Sequence, residues 1–131
     1  MTDEEALRIA RGWIAAWNSH DIDRILSHYS ETIELTSPLV SRVLGAGINI
    51  VSGKAALRRY FLRGLEAFPD LRFDLWGAYP GHDSVIVHYQ SVRGLRGAEF
   101  MRIDSSGRVC QVIAHYASPE PAGGERSPFF Q

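Results

Sequence analysis

A single cysteine among 131 residues rules out an internal disulfide and every paired-cysteine metal or redox motif. Cys110 falls in a strand pattern and reads as a small buried hydrophobe, so a reducing cytoplasm is expected. No apolar run is long enough to span a bilayer, and the opening MTDEEALR has neither the basic region nor the apolar core of a targeting signal. Charge of one sign is also missing: 14 basic residues face 15 acidic ones, so no global field recruits nucleic acid or an anionic membrane. There is no internal repeat, no glycine-rich phosphate loop, and no nucleophile set beside a base. The five histidines show no metal-ligand spacing. The sequence therefore implies no metal, no cofactor, no nucleic-acid partner and no membrane partner. What is present is the composition of an ordinary globular chain, 45% hydrophobic and 22% charged, long enough for one domain with a sizeable core.

The N-terminal half reads as helices. Thr2 and Glu5 form a capping box, and Asp3 and Glu4 favour the dipole, so a helix starts at once. Its buried stripe is Ala6, Ile9, Ala10, Trp13 and Trp17. Asp21 is the N-cap of a second, short helix in which Ile22, Ile25, Leu26 and Tyr29 face inward. Thr32 to Leu35 is a short edge strand ended by Ser37-Pro38. Leu39 to Val51 reads as loop plus a short strand, because Gly45 and Gly47 interrupt it. A third helix follows from Ser52 or Gly53 to Pro69, with an apolar stripe through Leu57, Tyr60, Phe61, Gly64, Leu65 and Phe68.

Strands then dominate: Leu71 to Tyr79, Ser84 to Val92, and a long hairpin from Gly97 to Ala117 that turns at Asp104-Ser105-Ser106-Gly107. Helices first and strands after is an α+β layout. On the last strand Cys110, Val112, Ala114 and Tyr116 alternate with Val109, Gln111, Ile113 and His115, so both sheet faces carry apolar side chains. Helices cover one face; a second copy in a twofold homodimer is expected on the other, unless the tail covers it. That tail, residues 118–131, is rich in proline, glycine and serine and reads as flexible, leaving 1–117 as the domain.

Trp17-Asn18-x-x-Asp21 between the first helices, Gly53-Lys54 opening the third, and the FMRID-SSGRV hairpin resemble the nuclear transport factor 2-like superfamily, from about Ala6 to Ala117. Within it the chain looks most like the ketosteroid isomerases and SnoaL-like polyketide cyclases. The resemblance implies a cone-shaped fold: a curved antiparallel or mixed sheet wrapped around three N-terminal helices and enclosing one apolar pocket. In the isomerases a helix tyrosine and a protonated aspartic acid hold the substrate oxygen, and an aspartate before a proline is the general base. Trp13, Glu99 and Ser37 stand at those three places here. The acid survives as glutamate, whereas the base is absent.

Glu99 shares its strand face with Met101 and Ile103, an unusual setting for a carboxylate unless it serves a pocket or reaches solvent. If His88, on a neighbouring strand, lay on that face, the two would make an acid–base pair. Trp13, Trp17, Phe61, Met101, Val112 and Tyr116 are core residues that become pocket lining if the cone is hollow. The expected ligand is a small apolar molecule bearing a carbonyl or hydroxyl. If turnover occurs, it is cofactor-free proton transfer of the isomerase or cyclase type, with Glu99 as acid or base, His88 assisting, and Ser37 or Trp13 orienting the oxygen. Two alternatives remain open: a binding module with the same pocket, and a dimerisation domain with a filled core.

Overall fold

The Thr2 hydroxyl accepts from the Glu5 amide at 3.1 Å, and the first helix, α1 (Asp3–Ser19), follows directly. The structure, a computed structural model, describes residues 1–119. Helix α1 buries Ala6, Ala10, Trp13, Ala16 and Trp17, the stripe that its three- and four-residue spacing prescribes. Asp21 caps α2 (Ile22–Leu26) by accepting from the Asp23 and Arg24 amides. After it come β1 (Tyr29–Thr36), α3 (Val40–Leu44), β2 (Ile50–Ser52) and α4 (Lys54–Ala67). The chain continues through β3 (Asp74–Pro80), β4 (Ser84–Gln90), a 3-10 turn at Val92–Gly94, β5 (Arg96–Ile103) and β6 (Val109–Ala117). The strands form one six-stranded mixed sheet in the order β2-β1-β6-β5-β4-β3, all antiparallel except β1 with β6.

Several local expectations need correction. Strand β1 is internal, between β2 and β6, because its ladder ends at Thr36, before Pro38 can interrupt it. Tyr29 opens β1 instead of closing α2. The stretch read as loop contains α3, whose valines and serine are weak helix formers; only docking against the rest of the fold can account for it. The flexible-tail reading falls mainly on residues 120–131, outside the described residues.

Strand register decides what the helices face. Val87, Glu99 and Ala114 form one cross-strand row on the inner face, with Val85, Met101, Val112 and Leu35 in the row on one side and Tyr89, Gly97 and Tyr116 on the other. The outer face carries Tyr79, Ile86, Phe100 and Ile113 in one row and Gly77, His88, Ala98 and His115 in the next. Helix α1 packs on the inner face through Trp13, which stacks on Phe73 at 5.6 Å and meets Tyr89 edge-on at 5.0 Å. Trp17 meets Phe61 of α4 at 4.7 Å.

Candidate functional site

Helix α4 and the inner sheet face do not close on each other completely. A cavity of about 520 Å³ lies between them, within the usual range for small-molecule sites. Trp13 and Trp17 from α1, Phe61 from α4, Ser37 after β1, and Glu99 and Tyr116 from the sheet all line it. Met101 and Val112, expected as lining, do not: both are fully buried core residues in a row with Val85, and only the end of that row, Leu35, reaches the cavity. On β5 the cavity-lining residue is Glu99.

Glu99 is 5% exposed, and its Oε2 has no hydrogen-bond partner among the described residues. Burial in this apolar surrounding pushes its pKa from 4.5 up to about 7, against the Tyr89 hydroxyl, which donates toward the carboxyl and favours its charged form. The phenols of Tyr29, Tyr89 and Tyr116 are raised above their ordinary value, by burial first and then by the charge of Glu99. They remain protonated and act as hydrogen-bond donors. Tyr29 Oη accepts from Trp13 Nε1 at 2.8 Å, so that indole is occupied. Trp17 Nε1, by contrast, is buried with no partner at hydrogen-bond distance among the described residues, although it faces the Tyr29 hydroxyl and lowers that phenol slightly against burial. An unpaired acceptor and an unpaired donor thus belong to the walls of one cavity, which is where buried polar atoms go unsatisfied in a protein built to take a polar ligand.

Ser37 is buried at the cavity wall and its Oγ accepts from the Leu39 amide at 3.1 Å. Its hydroxyl also faces Tyr60 and Tyr116 and lowers both phenols slightly against the effect of burial. His88 is not part of the site. It pairs with Ala98, one residue from Glu99, and so points to the opposite sheet face, where its ring meets Trp76 edge-on at 5.1 Å. A one-residue difference in register moves a side chain to the other face, and the sequence alone does not set that register.

Residues that sequence reasoning did not single out are Tyr29, Tyr89, Arg42 and Arg93. Tyr89 follows from parity once Val87 is known to oppose Glu99. Arg42 and Arg93 stand at the rim, on α3 and the 3-10 turn, and no periodicity marks either. Among the described residues no group of three His, Cys, Asp or Glu side chains is arranged to hold a metal ion. No described helix is long and apolar enough to cross a membrane.

Comparison with known proteins agrees with this architecture. Residues 10–117 match the model of the SnoaL-like domain. A SnoaL-like protein of unknown function from Burkholderia thailandensis E264 is 36% identical, with a TM-score of 0.86 over 89% of this chain and 98% of that one. A nuclear transport factor 2-like protein of unknown function from Mesorhizobium loti superimposes with a TM-score of 0.67 at 17% identity, covering 88% of this chain and 93% of that one. The epoxide hydrolase/cyclase-like enzyme SalBIII, of pyran ring formation in salinomycin, gives 0.70 at 16% identity, covering 87% of this chain and 92% of that one. No curated protein matches the chain. With the family model spanning most of the sequence and the fold shared by these structures, the chain belongs to the SnoaL-like domain family.

Proposed function

We propose that the protein encloses a small apolar molecule bearing a carbonyl or hydroxyl and catalyses cofactor-free proton transfer on it. The observation that carries this reading is Glu99: a carboxyl in an apolar cavity, with one oxygen unpaired and a pKa near working pH. A base poised about there takes a proton from carbon adjacent to a carbonyl and returns it without a large penalty in either direction. As the C–H bond breaks, its electron pair becomes the enolate and the charge gathers on oxygen. Trp17 Nε1 is the free donor for that oxygen, in the place the sequence suggested for Trp13. Buried tyrosine hydroxyls supply further donors. The enolate is then reprotonated at the same or a conjugated carbon, or closes a ring. A cavity open to a ligand at Glu99 counts against the reading of a dimerisation domain with a filled core.

Deuterium uptake from heavy water at C1 of 2-tetralone, followed by NMR, tests the chemistry. We expect acceleration by wild-type protein that rises to a plateau above about pH 7, falls by roughly 100-fold or more in Glu99→Gln, and is unchanged in His88→Ala. Binding of 2-naphthol, which mimics the enolate, without any accelerated exchange would favour the second reading, a binding module. Ser37 at the place of the family's carboxylate base is the observation on that side.

We also propose a homodimer through the outer sheet face. Trp76 and Tyr79 are 45% and 54% exposed there, beside the half-buried Ile86, Phe100 and Ile113. Such a face on a single copy would leave a large apolar patch in water.

A further inference from the structure

The cavity is polar in a directional way. Glu99 is the acid among its lining residues and is buried, on β5 next to the core residue pair Met101 and Val112. The basic side chains among the lining residues are Arg42 and Arg93, which come from unrelated segments, both exposed at the rim. Neither guanidinium has an ion-pair partner among the described residues. Arg93 also carries backbone strain: φ 55° and ψ 30° place it in the left-handed region, and Gly94 after it is at positive φ as well, at 74°. Its guanidinium lies over the ring of Phe68, another lining residue, with 5.2 Å to the centroid. The contact holds a positive charge over the apolar rim. Leu39, Val43 and Val92 line the same rim, so an anion there meets guanidinium donors for charge-assisted hydrogen bonds beside apolar surface.

We infer that the ligand is an amphipathic carboxylic acid, with its hydroxyl or carbonyl directed to Glu99 and its carboxylate left at the mouth between Arg42 and Arg93. This rests on the reading of the Glu99 cavity above and narrows its substrate class. The reverse orientation brings two carboxylates together in an apolar cavity and is disfavoured by repulsion above about pH 7, where Glu99 is ionised.

Calorimetric titration at pH 8 and low salt with two probes tests it: 2-naphthol, and 6-hydroxy-2-naphthoic acid, which adds a carboxylate at the far end of the same ring system. The acid should bind at least about ten-fold more tightly. That advantage should shrink in Arg42→Gln and in Arg93→Gln, vanish in the double variant, return in part in the double lysine variant, and fall as salt rises. Equal affinities in the wild type, or an advantage that survives the double variant, would overturn the inference while leaving the Glu99 cavity standing. If neither probe binds, the cavity reading fails and takes this inference with it.

Discussion

Glu99 concentrates the energetic cost of the site in one side chain. Its native carboxyl holds a proton that the unfolded chain would release, since burial raises its pKa from 4.5 to about 7. Between those values the native state binds more protons than the unfolded state, so its contribution to stability falls as pH rises, and levels off above about 7. The loss at pH 8 amounts to roughly 3 kcal/mol, because each tenfold change in proton affinity is worth about 1.4 kcal/mol. Glu99→Gln cannot ionise and should recover much of this at pH 8 while gaining nothing at pH 4. Urea unfolding at both pH values is the check, and parallel stability curves for the two proteins would sink the idea. The sequence offered Glu99 as a carboxylate among apolar neighbours. It could not show that His88 lies behind the sheet, because alternation tells which residues share a face on one strand, not which faces of two strands coincide.

Among the elements, β4 and β5 set the site through one close pairing. Gly97 opposes Tyr89, and a methyl group on Gly97 would lie 2.7 Å from Tyr89 Cε1 and 2.8 Å from its Cζ. The ring is 1% exposed and packed against Trp13 and Phe73, so the direction left to it is into the cavity it lines. Gly97→Ala should therefore cost about 1–3 kcal/mol and, by shifting the Tyr89 hydroxyl from Glu99, weaken 2-naphthol binding. Gly64 is the contrast: at this cavity-lining turn of α4, nothing lies within 4 Å of the place an alanine methyl would take. Gly64→Ala should raise stability by up to about 1 kcal/mol through helix propensity. Thermal unfolding of both variants separates the two cases. The helices α1, α2 and α4 were legible because caps and apolar spacing are local signals. Helix α3 was not, since its five residues, Val40–Leu44, carry no such signal. The Trp17-Asn18-x-x-Asp21 stretch proves largely structural: the Asn18 side chain takes both the amide and the carbonyl of Phe73, at 2.7 and 3.0 Å, and Asp21 caps α2.

At the scale of the whole molecule, the sheet has two apolar faces and the helices cover one. If the outer face joins two copies, Trp76→Glu combined with Tyr79→Glu should shift sedimentation from dimer to monomer and leave 2-naphthol affinity intact, because the cavity opens on the other side of the sheet. A wild-type protein that sediments as a monomer at micromolar concentration would end that reading. The sequence by itself determined the α+β class, the starts of α1, α2 and α4, the long terminal hairpin and the presence of a carboxylate in an apolar row, all of which depend on residues close together in the chain. Tertiary structure alone decided the parallel pairing of β1 with β6, the face on which His88 lies, which inner-face residues reach the cavity, and the placing of Arg42 and Arg93 in the lining of one cavity. Those depend on register and on packing between distant segments, for which a linear pattern holds no coordinate.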